Sequence, residues 1–106
     1  MAKYLIEGSY SAEGLKGIEK DKPSGRKAAV TKAIEGLGGK VEAFYFCLGE
    51  RDVIAIVDMP DLVSVTAFAM HVSDSGLVRT KTTALLSIED ADKAVLKKVD
   101  YRAPGR

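Results

Sequence analysis

Cysteine and histidine are almost absent from this sequence, which has one of each, Cys47 and His71. A single cysteine excludes an intrachain disulfide and any cysteine-rich metal site. His71 has no second ligand at metal-binding spacing, so we predict no metal and no other cofactor. A helix-flank or interface position for His71 is favoured over haem or metal ligation. Cys47 lies in an apolar segment without a neighbouring base, which favours inert packing over reactivity.

An excess of one charge and a long apolar run are also missing. The 16 basic and 15 acidic residues give a formal net charge of +1. Because the basic residues are not clustered, the chain lacks the electrostatic pattern of a nucleic-acid-binding domain. No apolar run reaches the ~18 residues of a membrane span, and Glu7 interrupts the segment where a signal peptide would have its apolar core. We therefore expect a cytoplasmic protein with neither nucleic acid nor membrane as a partner.

The element pattern predicts one α+β domain over residues 1–99, followed by a short C-terminal tail at 100–106. Four strands are predicted at about 3–10, 40–48, 52–59 and 77–88. One helix, with its apolar stripe at Val30, Ala33, Ile34 and Leu37, follows a chain break at 21–25. A second helix is capped by Asp61 and runs to Ser73, and a third, capped by Asp90, ends near Val99. This order, β-α-β-β-α-β plus a C-terminal helix, is the ferredoxin-like plan.

Both faces of the predicted sheet are apolar. Alternation along the second strand places Val41, Ala43, Tyr45 and Cys47 on one face and Phe44, Phe46 and Leu48 on the other. The third strand likewise separates Val53, Ala55, Val57 and Met59 from Ile54 and Ile56. Because the helices cover one face and the other is too apolar to meet water, we predict that a second copy covers it. Two sheets packed in this way would form a dimeric α/β barrel.

Several short motifs occur in the order typical of a known family. They are Tyr10–Gly14, Leu37–Lys40, Ala43–Phe46, Gly49–Asp52, Val57–Asp61 and Ser75–Val78, with Lys81–Thr83 and Val99–Gly105 matching one branch. In these residues the chain resembles the GYD-domain family of small bacterial proteins. The resemblance implies a domain of the dimeric α/β-barrel class with no assigned biochemical role. The tyrosine of the name-giving Gly-Tyr-Asp is absent here, where the sequence is Gly49-Glu50-Arg51-Asp52.

Two carboxylates are candidate catalytic groups. Asp52, at the start of the third strand, is either a general base at a barrel mouth or an aspartate that bonds the turn backbone, and we favour the second. Asp58 lies on the face of Ile54 and Ile56, where a charge needs a partner or access to water.

Candidate ligand-binding residues are Tyr10, Tyr45 and Arg79. Tyr10 and Tyr45, together with Tyr4, could line a cavity with a ring face and a hydroxyl, or could be core residues. Arg79 and Lys81 share one face of the fourth strand, where they could hold a carboxylate ligand or protect a sheet edge from aggregation. We favour the edge interpretation.

These observations lead to one principal hypothesis and two alternatives. The principal hypothesis is a homodimer, or a dimer-based oligomer, that encloses a small, mainly apolar cavity and binds a small apolar or carboxylate ligand, or serves as an accessory protein. The first alternative is a cofactorless enzyme resembling a monooxygenase or an isomerase, with its site in the barrel cavity. The second is a purely structural oligomerisation module. The tail is predicted to anchor Tyr101 on the partner subunit.

Overall fold

The computed structural model describes residues 1–106 as four strands and three helices. In chain order the elements are β1 (Ala2–Tyr10), α1 (Ala12–Gly36), β2 (Lys40–Phe46), β3 (Val53–Met59), α2 (Leu62–Asp74), β4 (Val78–Leu85) and α3 (Ile88–Leu96). All strand pairs are antiparallel, and the sheet order is β2-β3-β1-β4. The predicted ferredoxin-like α+β fold with an extra C-terminal helix is confirmed. No helix is both long enough and apolar enough to cross a bilayer.

The two faces of the sheet have different surroundings. We call the face covered by α1 and α2 the helix face and the opposite one the open face. On β1, Tyr4 and Ile6 belong to the buried core of the helix face. Neither α1 nor α2 covers the open face, and α3 buries none of its own residues.

The core lies between the helix face and the two long helices. Its most buried members are Ile34 of α1, Val57 and Met59 of β3, and Val65 of α2. The turn after α1 packs tightly on the end of β3, because a Cβ added at Gly39 would lie 2.6 Å from the Asp58 carbonyl oxygen. This close approach requires glycine and fixes α1 against the sheet.

Helix α1 is kinked near its middle. Ser11 caps its start by accepting a hydrogen bond from the Gly14 backbone N–H at 3.0 Å. Lys22 has φ 68° and ψ 156°, and Pro23 begins the second segment. Proline disfavours helical geometry in the residue before it, which explains the extended ψ of Lys22. The break predicted at 21–25 is therefore a kink between two helical segments.

A β-bulge changes the side-chain pattern of β2. The register with β3 shifts between Val41 and Ala43, so that Glu42 is the extra residue. Val41 pairs with Val57 and lies on the helix face, whereas Ala43 pairs with Ile56 on the open face. The prediction that Val41 shares a face with Tyr45 is therefore wrong, because a bulge reverses alternation along a strand.

The C-terminal arm, residues 86–106, extends away from the core. Ser87, and not Asp90, caps α3, since the Ser87 hydroxyl accepts from the Asp90 backbone N–H at 3.1 Å. The apolar side chains of the arm are exposed, namely Leu86, Ile88, Val95, Leu96, Val99 and Tyr101. The arm accounts for part of the elongated shape of the chain, which measures 56 × 32 × 23 Å.

Candidate ligand-binding site

The sequence-predicted site residues lie in three separate places. Tyr10 is on the helix face, and Asp52 is just before β3 at the end of the β2–β3 hairpin. Asp58, Tyr45 and Arg79 are on the open face. Tyr45 and Arg79 belong to the two edge strands, three strand spacings or about 14 Å apart. The structure therefore does not bring the predicted residues together into one site.

Asp52 ties the hairpin to the end of β1. Its carboxylate Oδ2 accepts a hydrogen bond from the Tyr10 backbone N–H at 2.8 Å. Its own backbone N–H donates to the Gly8 carbonyl, and its carbonyl accepts from the Cys47 N–H, both at 2.9 Å. With these three bonds Asp52 fixes the position of Tyr10.

Asp58 belongs to an ionic cluster at one end of the open face. Lys3 Nζ lies 2.9 Å from Asp58 Oδ1 and 2.8 Å from Glu42 Oε2. Hydrogen bonds raise the pKa of Lys3, and the bond to Glu42 has a larger effect than the bond to Asp58. A second, looser pair joins Arg51 Nε to Glu7 Oε2 at 3.5 Å. The candidate carboxylate at 58 thus has a cationic partner.

His71 and Cys47 make local hydrogen bonds. His71 Nδ1 lies 2.9 Å from the carbonyl oxygen of Ala67, one turn earlier in α2. The Cys47 thiol donates to the carbonyl oxygen of Arg51 across the hairpin. No group of three histidine, cysteine or acidic side chains is placed to hold a metal ion.

A small cavity lies on the helix face, beneath the second segment of α1 and beside α2. Its volume is about 30 Å³, and ten of its thirteen lining residues are hydrophobic. The cavity walls include Ile6, Val30, Phe44, Val53, Phe68 and Val78. Gly8 contributes space, since a Cβ there would lie only 2.9 Å from Val53 Cγ1. The sequence predicts a cavity between two sheets, whereas this one lies within a single chain.

Two buried polar atoms in residues lining this cavity lack a hydrogen-bond partner: the Tyr10 hydroxyl oxygen and Arg26 Nε. The Arg26 guanidinium carbon lies 6.0 Å from the centre of the Tyr10 ring. Phe46 stacks on the same ring at 6.3 Å and further fixes it. Burial raises the pKa of the Tyr10 hydroxyl above 10.0; the charge of Arg26 and its hydrogen-bonding interaction with the hydroxyl oppose this shift, and the Asp52 charge adds to it.

A more open groove of about 340 Å³ adjoins the cavity between α1 and α2. Arg26, Phe68, Val72 and Val78 line both spaces, so that Arg26 stands where they meet. The groove is otherwise lined by Ala33, His71, Ser75 and Leu77. Together the two spaces reach the lower end of the volume range of small-molecule pockets, about 300–1,000 Å³.

Arg26 is not among the site residues predicted from the sequence, although its spacing carries a signal. Arg26 precedes Val30 by four residues and Ile34 by eight, so it continues the buried stripe of α1. A cation that extends an apolar stripe is directed toward the core, where charge is costly without a partner. The proximity of Arg26 to Tyr10 depends on the kink in α1 and on tertiary packing, and the apolar periodicity of the helix specifies neither.

Comparison with protein families gives one finding. The model of the family described as the GYD domain matches residues 4–95, most of the chain. The match includes every residue that lines the cavity and the groove. Comparison with curated proteins and with solved structures gives no match.

Proposed function

This chain belongs to the GYD-domain family, and from that premise we propose that it is a homodimeric protein that binds a small ligand in the cavity of the helix face and the groove that adjoins it. The composition of the cavity lining supports binding, because the lining is largely apolar and includes two buried polar atoms without a hydrogen-bond partner. Such a combination of apolar surface and a few polar groups is typical of ligand sites. An accessory role, in which the bound ligand or the dimer serves another protein, is compatible with the same geometry.

Binding is better supported than catalysis. A cofactorless monooxygenase or isomerase would need an acid or base beside its substrate. None of the thirteen cavity-lining residues is a carboxylate or a histidine. Asp52 and Asp58 have hydrogen-bond or ionic partners elsewhere. The cavity thus offers no carboxylate or histidine as acid or base, and His71 lines only the adjoining groove, where its Nδ1 lies 2.9 Å from the Ala67 carbonyl oxygen.

The open face supports the homodimer. Leu5, Ile54 and Ile56 form its apolar centre, with no element of the same protomer packed above them. The Lys3 cluster and the Arg51–Glu7 pair lie around that centre. An apolar centre with a polar rim is the usual anatomy of a protein interface.

The area available also involves the C-terminal arm. Four strands at ~4.8 Å spacing, each about seven residues long at ~3.4 Å per residue, give a projected area of about 450 Å². A standard interface buries about 800 Å² of accessible surface per partner. The sheet alone gives a modest interface, and the exposed apolar residues of the arm would enlarge it.

Sedimentation velocity at micromolar concentration tests the dimer. The wild type is expected to sediment as a dimer and Ile56→Lys, on the open face, as a monomer. Val63→Lys is the matched control, because Val63 is 78% exposed on α2, away from the open face. A monomeric wild type would contradict the proposal, as would a dimer in Ile56→Lys.

Native mass spectrometry of gently purified protein tests ligand binding. The expected spectrum shows a reproducible small-molecule mass on the dimer that disappears under denaturing conditions. Protein that carries no such mass, and acquires none from a metabolite extract, would contradict ligand binding and leave the structural module as the better description.

A further inference from the structure

We propose that Arg26 and Tyr10 bind the carboxylate of a small monocarboxylic ligand whose apolar body lies in the groove between α1 and α2. This inference rests on the proposed ligand-binding function and adds its site and ligand class. It relocates binding from the predicted Arg79 and Tyr45 to the opposite side of the sheet.

The charge of Arg26 is the first argument. Four ion pairs form within the chain, and none of them includes Arg26. Its side chain is half-buried, and its Nε is shielded from solvent without an acceptor. A partly desolvated guanidinium without an anion is costly, whereas a carboxylate would satisfy it with charge-assisted hydrogen bonds.

The hydroxyl of Tyr10 is the second argument. Arg26, the side chain that interacts with this buried hydroxyl, can only donate hydrogen bonds, so the Tyr10 O–H has no acceptor and can donate to a carboxylate oxygen. The residue is held in place by its backbone bond to Asp52 and by the stacking of Phe46. A donor fixed before the ligand arrives loses little conformational entropy on binding.

The volumes of the cavity and the groove determine how such a ligand would lie. The cavity, at about 30 Å³, accepts a group no larger than a few atoms. The groove, at about 340 Å³, has room for a short aliphatic chain or an aromatic ring. Because Arg26 stands where the two meet, the carboxylate would bind there and the apolar part would pack against Phe68 and Leu77.

The donor set favours a carboxylate over a phosphate. One guanidinium and one hydroxyl match the two oxygens of a carboxylate. Phosphate sites usually add backbone N–H groups at a helix N-terminus or further cations. Here Arg26 is the only lysine or arginine that lines the cavity or the groove.

A nuclear magnetic resonance titration of ¹⁵N-labelled protein at neutral pH tests the proposal. Hexanoate and benzoate are the probes, hexanamide is the uncharged control, and inorganic phosphate is the competing anion. The two carboxylates are expected to shift resonances of α1, α2 and β1 around the groove. Hexanamide and phosphate are expected to bind at least tenfold more weakly.

Variants on the two sides of the sheet distinguish the sites. Arg26→Met keeps the apolar stem, removes the charge and should weaken hexanoate binding by tenfold or more; Tyr10→Phe should weaken it several-fold. Arg79→Met and Tyr45→Phe are the matched controls on the open face and should leave the affinity unchanged. Amide spectra of all four variants establish that each is folded.

Three results would overturn the proposal: neither carboxylate shifts the groove resonances at millimolar concentration, Arg26→Met binds as the wild type does, or Arg79→Met alone loses binding. The wider function is tested separately. If native spectra show a ligand mass on wild type and equally on Arg26→Met, ligand binding stands and this site fails. If they show no ligand mass on wild type, ligand binding itself fails.

Discussion

Within one sheet, Tyr4 on the helix face is 7% exposed, whereas Tyr45 on the open face is 65% exposed. The two faces also differ in whether their charged residues have ionic partners. On the open face Lys3 lies within hydrogen-bond distance of both Asp58 and Glu42. On the helix face the one charged residue that lines the cavity, Arg26, has no ionic partner.

This difference separates the two proposed roles of the sheet. Paired charges around an apolar centre suit a surface that meets a second copy, because the pairs need no further partner. Arg79 and Lys81, open-face cations without an ion pair, lie on the edge strand β4. A single unpartnered cation in an apolar cavity suits a site that receives an anion. The sheet would therefore use one face for assembly and the other for binding.

The largest expected effect comes from truncating the buried face. Ile34→Ala should lower the free energy of unfolding by about 3 kcal/mol, because Ile34 is 0% exposed and its loss leaves a cavity in the core. Ile56→Ala on the open face should cost only about 1 kcal/mol in dissociated protomers, since the residue is half-buried there. Urea denaturation at low protein concentration measures both. Equal losses would remove the energetic distinction between the faces.

Asp52→Ala tests the connection between the hairpin and Tyr10. The substitution leaves the Tyr10 backbone N–H without its acceptor, and we expect about 2 kcal/mol of destabilisation. Asp52→Asn keeps an acceptor oxygen and should retain most of that stability. Urea denaturation distinguishes the two variants. If Asp52→Ala proved as stable as the wild type, a purely structural role for this carboxylate would be refuted.

Deletion of residues 100–106 tests whether the arm belongs to the dimer interface. Tyr101 is 71% exposed in the protomer, and its burial against a partner would contribute to association. We expect the truncated protein to dissociate about tenfold more readily, or about 1.4 kcal/mol. Sedimentation equilibrium measures the change. Dimer affinity equal to that of the full chain would show that the tail does not contribute.

The smallest expected effect is seen at high pH. Because burial raises the pKa of Tyr10 above 10.0, the folded protein holds this proton more tightly than the unfolded chain. The resulting contribution to stability is complete below pH 10 and decreases as pH rises through the folded-state pKa. Absorbance at 295 nm should show a late-titrating tyrosine that Tyr10→Phe removes and Tyr45→Phe retains. Loss of the late component in Tyr45→Phe would assign it to the open face.

Much of the fold was accessible from the sequence because its signals are local. Apolar periodicity identified the helix around Val30 and Ile34, and Gly38 and Gly39 marked its end. The strands predicted at 40–48 and 52–59 correspond to β2 and β3, and the predicted break at 21–25 coincides with the kink at Pro23. The arrangement β-α-β-β-α-β then followed from the order of these elements.

The site was less accessible because it depends on contacts between distant residues. The bulge at Glu42 has no period of its own, so simple strand alternation predicts the wrong face for Val41. Tyr10 is a ligand-binding residue that the sequence predicts, but its neighbour Arg26 comes from the second segment of α1, beyond the kink. Alternation along a strand predicts on which face of the sheet a side chain lies, but it does not predict which helix residue packs over that side chain.

The pairing of β1 has a consequence for how the protein is synthesised. This strand is central and is made first, yet its partners are β3 and β4, and Lys3 pairs with Leu85. At translation rates of about 5–20 residues per second, roughly 4–15 seconds pass between completion of β1 and synthesis of Leu85. During that time Tyr4, Leu5 and Ile6 leave the ribosome without their β4 neighbours. The nascent chain is therefore expected to be a chaperone substrate until β4 has emerged.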